Sequence, residues 1–234
     1  VAGIPSGITE VEKKAVQEAF FQSNAKEVYL VKEPIASAIG TGLNVLAPEG
    51  QMVVDIGGGT AEIAVISFGE IIAGKSIKVA GNAIDEAIIR LLKKNAKISI
   101  GQTTAESLKI ELGSAESSVT EKSKEIRGMD VDTGLPKNET ITSHQIEEAM
   151  KEPIQEIIEA IQNVLSEVPP EIASDLIDNG IYLTGGGALI KNLDNLIAQK
   201  TSIQTFIAET PLDCVAIGTG KIVEDLPKYQ RIFR

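Results

Sequence analysis

Two stretches of this chain end a run of β-formers in three consecutive glycines. They are VVDIGGGTAEIAVI, Val53 to Ile66, and IYLTGGGALIKNLD, Ile181 to Asp194. A hairpin turn needs only one or two residues with positive φ, supplied by Asn-Gly or Asp-Gly pairs. Each further glycine costs backbone entropy on folding, so the triplets need another reason. Glycine runs let backbone N–H groups approach phosphate oxygens with no Cβ in the way. Asp55, closing the first strand, presents a carboxylate where a hydrated magnesium ion sits well. Thr60 is placed to aim its hydroxyl at a terminal phosphate or an attacking water. At the second site Gly185, Gly186 and Gly187 precede a helix start, which favours negative or polar ligand groups. A tight turn without a ligand explains either triplet alone equally well. Two of them, each after a β-rich run, favour a phosphate-bearing ligand. The chain has no GxxxxGK[ST] and no GxGxxG, so P-loop and dinucleotide readings fail.

The rest of the chain frames these motifs with mixed helices and strands. Its 234 residues correspond to one or two domains. With 3% aromatic residues and no Trp, the core must come from Ile, Leu, Val and Ala. A net charge of −11, with no basic cluster longer than Lys93-Lys94, argues against a nucleic-acid partner. Cys214 is the single cysteine, so no intrachain disulfide forms and a reducing compartment fits. His144, the single histidine, reads as a solvated first-turn residue. No apolar run approaches the roughly 20 residues of a membrane span. VAGIPSG reads as a buried strand feeding a turn, as if the chain were entered partway through a domain.

Periodicity predicts a helix capped by Thr9 and Glu12, with Val11, Ala15, Ala19 and Phe20 forming the stripe that packs on its own sheet. Val16 and Phe21 fall off that stripe. EPIASAIGTGL reads as a helix opened by Pro34. Three strands through QMVVDI, AEIAVISF and IIAGKSIKVA form a meander. Helices over Asn82–Ala96 and TTAESLKIELGSA precede a polar β-ribbon in KEIRGMDVDTGLPKNETIT. A long helix from Ser143 is expected to break at Pro153. KNLDNLIAQK then reads as the helix after the second triplet, and the last helix, PLDCVAIGTGKIVEDL, as one interrupted by small residues.

VVDIGGGTAEIAVI resembles the second phosphate loop of the actin, hexokinase and DnaK-type chaperone superfamily. IYLTGGGALIKNLD resembles its adenosine motif, and EPIASAIGTGL the segment joining the halves of the site. With IPSGIT, AESLKIELGSAE and TPLDCVAIGTGK, the chain is most similar to the MreB family of bacterial actins, over essentially its whole length.

The resemblance implies an α/β, actin-like (ribonuclease H-like) ATPase fold: two large domains around a nucleotide cleft, with the family's opening Asp-Gly phosphate loop lying before Val1. Residues 1–48 and 215–234 would belong to the first large domain, 49–80 and 152–214 to the second, and 81–151 to its small inserted subdomain. ATP and Mg2+ would be the ligands. Asp55 would hold the magnesium through water while Gly57, Gly58 and Gly59 cradle the phosphates. Glu33 would polarise the attacking water, assisted by Thr60. Glu106 and Lys109 would line the ribose and adenine opposite Gly185, Gly186, Gly187 and Ala188. Without the resemblance, Glu33 merely begins a helix, and Glu106 and Lys109 read as an ordinary i,i+3 surface pair. Ala61 replaces the family's second threonine.

By the same resemblance the chain would form filaments, with protofilaments paired through the first helix, at the inner face of the cytoplasmic membrane. There they would work with cell-wall elongation proteins to guide rod shape. The alternatives are a plasmid-segregation or magnetosome actin, a DnaK-type chaperone nucleotide domain, and a sugar or acetate kinase.

Overall fold

A computed structural model describes residues 1–116 and 120–233. It opens with strand β1 (Ala2–Ile4), helix α1 (Glu10–Gln22) and strand β2 (Leu30–Lys32), with β1 and β2 paired in parallel. The predicted capping box starts α1: Glu12 N–H donates to Thr9 Oγ1 at 3.3 Å, and Thr9 N–H to Glu12 Oε2 at 2.9 Å. Helix α2 (Glu33–Thr41) carries Pro34 in its first turn and ends at Gly42, φ 94°. Strands β3 (Gln51–Ile56), β4 (Ala61–Ser67) and β5 (Glu70–Ile77) make the expected antiparallel meander.

Next come α3 (Gly81–Asn95), β6 (Ile98–Ser99), α4 (Gln102–Leu112), β7 (Ser123–Asp130) and β8 (Pro136–Thr142). The three strands form a separate antiparallel sheet that contains the predicted ribbon. The chain returns through α5 (Ser143–Glu167), α6 (Pro170–Asn179), β9 (Ile181–Thr184), α7 (Leu193–Thr201) and β10 (Thr205–Ile207). It closes with α8 (Cys214–Glu224) and α9 (Leu226–Tyr229) before a final 3-10 turn.

The main sheet runs β10-β9-β3-β4-β5, parallel through β3 and antiparallel beyond it. Strand side chains alternate between faces, and both faces are covered. Met52, Val54, Ile56, Ile63 and Val65 join a core with α3, α5 and α7. Val53, Ala64 and Ile66 join a second core with Ile35 and Ile39 of α2, Ile222 of α8 and Tyr229 of α9. All of β4 is buried, which is why its sequence is nearly continuous in apolar residues.

Four expectations are corrected. The α1 stripe does not pack on its own sheet: no residue of α1 is buried, and Val11 is 78% exposed with Phe20 and Phe21 also outside. The adjoining β1–β2 pair is only three residues long, too small to cover a helix of 13 residues. Pro153 does not break α5. Its missing N–H removes one ladder bond, but a buried stripe including Ile146, Met150, Ile154, Ile157 and Ile161 holds the helix continuous. The second triplet enters a 3-10 turn, Gly186–Leu189, and α7 begins only at Leu193, after Asn192 with φ 61°. Finally, small residues do not interrupt α8; they let it approach α2.

That approach has no slack. A Cβ on Gly40 of α2 would overlap the Cys214 carbonyl, and one on Gly218 of α8 would overlap the Ala36 carbonyl. Gly220 on the same helix has nothing within 4 Å of its virtual Cβ. Gly218→Ala should therefore lower unfolding free energy by about 2 kcal/mol or more through overpacking. Gly220→Ala should raise it by roughly 0.5–1 kcal/mol through helix propensity. Denaturant midpoints of the two variants check this contrast, and equal effects would show that the helices have room to separate.

Candidate functional site

Register builds the site. Strand β3 lies between an antiparallel neighbour and a parallel one, so Asp55 sits opposite Glu62 of β4 and level with Thr184 of β9. Both glycine triplets consequently leave the sheet at the carboxyl edge of β3 and β9, where open α/β sheets receive ligands. A cleft of about 600 Å³ opens there, within the usual range for small-molecule sites. Asp55, Gly57 and Gly58 line one part, Gly185, Gly186 and Gly187 another, and Glu106 and Lys109 of α4 a third.

The triplets differ in what demands their glycines. Gly185 has φ 77°, and a Cβ there would collide with the Ile56 carbonyl and lie 2.5 Å from Asp55 Oδ1. A Cβ on Gly187 would overlap the Ile56 side chain. The second triplet is thus required by the chain's own packing. The first is not. None of Gly57, Gly58 and Gly59 has positive φ. A Cβ on Gly58 would come no nearer than 3.6 Å to the Asn82 amide, and one on Gly59 would meet nothing within 4 Å.

This first loop is nevertheless held. Gly81 N–H donates to Gly57 O at 3.0 Å and Asn82 N–H to Gly58 O at 2.8 Å, both from the start of α3. Gly57 N–H donates to Thr60 O at 3.0 Å. Among the described residues, the N–H groups of Gly58 and Gly59 donate to no atom of the chain. A fixed loop with bare glycines and free donors is what close approach to an anion requires.

Three carboxylates gather behind it. Glu62 is 2% exposed and accepts from Ser76 Oγ at 2.5 Å and Ser6 N–H at 3.2 Å. Burial pushes the Asp55 carboxyl above its ordinary range, the Ser37 and Thr184 hydroxyls pull it back, and Glu62 pushes it up again. Those two hydroxyls are themselves buried and bonded, Ser37 Oγ to Thr184 Oγ1 at 2.6 Å. Glu33, at the first turn of α2, is also raised, chiefly by burial and then by the charges of Asp55 and Glu62.

The other predicted residues divide. Thr60 and Gly59 belong to the held loop but do not line the cleft, and Ala188 is fully buried beneath the second loop. Lys109 is no surface partner of Glu106. Its Nζ lies 2.8 Å from Asp85 Oδ1 and 3.2 Å from the Gly81 carbonyl. Asp85, 2% exposed, is pushed up by burial, with Lys109 opposing. The sequence reading missed Asn82, Asp85, Lys191 and Leu212, which also line the cleft. Only Asp85 left a trace, as a charge on the apolar face of an amphipathic helix.

Lys109→Met would strand that carboxyl. The expected loss of stability is about 3–5 kcal/mol at neutral pH, the cost of breaking a buried pair. Without Lys109 the folded-state pKa of Asp85 rises further above its unfolded value, so the loss should grow as pH rises and shrink in acid. Urea unfolding at two pH values measures it, and a pH-independent loss would mean the pair carries no charge coupling.

Comparison with known proteins agrees with this geometry. A model of the MreB/Mbl protein family matches residues 1–231. The chain is 45% identical over 227 residues to the cell shape-determining protein Mbl of Bacillus subtilis, covering 97% of this chain and 68% of that protein. It is 45% identical over 221 residues to the cell shape-determining protein MreB of Escherichia coli, covering 94% and 64%. The chain thus spans about two thirds of the length of these relatives. The crystal structure of MreB 5 of Spiroplasma citri bound to AMPPNP superposes with a TM-score of 0.93 at 38% identity, covering 97% of this chain and 68% of that one. A MamK double helical filament structure, at 22% identity and TM-score 0.79, shares the fold, covering 96% and 68%. The fold is actin-like, and the chain belongs to the MreB/Mbl family of bacterial cell shape-determining proteins.

Proposed function

We propose that the cleft binds ATP with Mg2+ and hydrolyses it slowly, and that the protein assembles into filaments at the inner face of the cytoplasmic membrane. There it would guide wall synthesis together with cell-wall elongation proteins. The observation that carries the nucleotide reading is the Gly57–Thr60 loop, whose glycines answer no demand of the chain itself. Support comes from the Spiroplasma citri relative, whose structures are described as bound to AMPPNP and to ADP.

The residues fit magnesium as a hydrated ion. Among the described residues no three His, Cys, Asp or Glu side chains converge to hold a metal directly. Asp55 instead lies one residue from the end of β3, partly exposed, beside the hydroxyls of Ser37 and Thr184. Magnesium keeps several waters and takes one or two carboxylates plus phosphate oxygens, and when bound it would neutralise charge on the transferring phosphoryl group. The chain's own groups do the rest. Gly58 and Gly59 offer backbone donors to phosphate oxygens, and Glu106, with Gly186 opposite, borders the nucleoside. Glu33 takes a proton from, or orients, the attacking water. Its raised pKa suits that role, since a general base works best with a pKa near the operating pH.

In this reading, residues 1–48 and 215–234 belong to one large domain, 49–80 and 152–214 to the other, and 81–151 to its inserted subdomain. Self-association uses α1, whose Val11, Phe20 and Phe21 are exposed. No helix among the described residues is long and apolar enough to cross a membrane.

Two substitutions test the site. Gly58→Val should abolish ATP binding while leaving the fold intact, because a Cβ at this position meets only the Asn82 amide, at 3.6 Å. Affinity retained within about threefold, less than 1 kcal/mol, would make the loop purely structural. Glu33→Ala should slow phosphate release by about ten- to a thousandfold with ATP binding preserved. The wild-type rate should fall in acid as Glu33 protonates, above the ordinary carboxylate range. Normal hydrolysis by Glu33→Ala would remove Glu33 from the reaction.

A further inference from the structure

At the edge of the cleft, where Lys191 lines it, two distant segments are tied together by a set of bonds that touches none of the phosphate-loop residues. Lys191, which follows the second glycine loop, donates from Nζ to the Glu111 carbonyl at 2.8 Å and the Ile110 carbonyl at 3.3 Å. These are carbonyls of the last turn of α4, which lack intrahelical partners and sit at the negative end of the helix dipole. Just beyond that turn, Ala115 N–H donates to Lys191 O at 2.8 Å and Ser114 Oγ to the same oxygen at 3.3 Å. Asn192 Nδ2 then donates to Ser114 Oγ at 3.0 Å. Ser114 is 4% exposed, so its hydroxyl is satisfied from both sides away from water. Asn192 supplies the left-handed backbone, φ 61°, that turns the chain into α7.

The clasp joins the two walls that face each other across the cleft. Glu106, Lys109 and Ile110 stand on α4, and Gly186, Leu189 and Ile190 on the opposite loop. We infer that the Ser114–Lys191–Asn192 clasp is a positioning device that sets the separation of these walls, and so the grip on the nucleoside half of a nucleotide, independently of the phosphate grip. This rests on the nucleotide reading above. The phosphate loop is anchored on the first residues of α3, to which Lys109 also ties α4, so loosening the clasp frees the second-loop wall while α4 and the phosphate loop stay held together.

Two variants that break the clasp, and one control that keeps its charge, separate it from its surroundings. Asn192→Gly keeps the left-handed backbone accessible and changes no charge, while removing the bond to Ser114. Lys191→Met keeps the stem and removes both bonds to α4; Lys191→Arg keeps a cation in place. Titrate the protein and each variant with Mg-ATP and with inorganic tripolyphosphate, which has no nucleoside. ATP affinity should fall about fivefold in Asn192→Gly and about tenfold in Lys191→Met, the scale of one or two net hydrogen bonds. It should recover in Lys191→Arg, and tripolyphosphate affinity should stay within about twofold throughout. Loss of both ligands in parallel, or ATP affinity unchanged in both variants, would overturn the clasp while leaving the site intact. A wild-type protein that binds tripolyphosphate but gains nothing from the nucleoside would overturn it too. A wild type that binds neither ligand would overturn the nucleotide reading and the clasp with it.

Discussion

The position of β3 between unlike neighbours governs everything at the cleft. Its parallel pairing with β9 puts Asp55 level with Thr184, and its antiparallel pairing with β4 puts Asp55 opposite Glu62. The first pairing brings together two glycine loops that are distant in sequence. The second places two carboxylates directly across from each other, an arrangement that destabilises a sheet. The chain offsets part of that cost locally: Glu62 is bonded by Ser6 and Ser76, and Asp55 is supported by Ser37 and Thr184. What is left is excess negative charge at the mouth of a loop with free backbone donors. A cation carried in with phosphates suits both features at once.

The two triplets look alike in sequence and answer different demands. Gly185 and Gly187 lie so close to Ile56 and Asp55 that any side chain would displace β3; they are the reason the two strand ends sit close together. Gly58 and Gly59 have open space, and no packing contact of the chain requires them. The same three letters thus meet two different demands, which only the fold tells apart. Sequence reasoning treated both as ligand loops, because a glycine required by a neighbouring strand and one required by a ligand are written with the same letter.

Much of the fold was legible because it is local. The Thr9 capping box, the three-strand meander, the polar ribbon and the Pro34 helix start all follow from period, caps and turns, and each is present. The failures concern what surrounds an element. A stripe such as Val11-Ala15-Ala19 shows which face of a helix seeks cover, and says nothing about whether a short two-stranded sheet can supply it. Pro153 was expected to break α5, yet burial along the stripe outweighs one lost bond. At the cleft, motif and resemblance pointed to Asp55 and the glycines, of which all but Gly59 line it, and to Glu33, which does not. The Lys109–Asp85 pair joins two helices, and the sequence spacing of Lys109 pointed to Glu106 instead.

The carboxylate proposed for water activation and the one proposed for the cation stand on different elements of the fold, a helix and a strand. Asp55 is part of β3, bonded on both sides within the main sheet. Glu33 is the first residue of α2, and α2 is locked to α8 by the glycine contacts at Gly40 and Gly218. Because packed helices shift as units rather than deform, a displacement of the α2–α8 pair relative to the sheet carries Glu33 with it. The Glu33–Asp55 spacing is then a readout of that displacement. The proposed hydrolysis would be sensitive to such spacing, since a misplacement of about 1 Å costs on the order of a hundredfold in rate. Under the proposed function, a contact that bears on α2 or α8 from outside would be coupled to the chemistry through rigid packing alone.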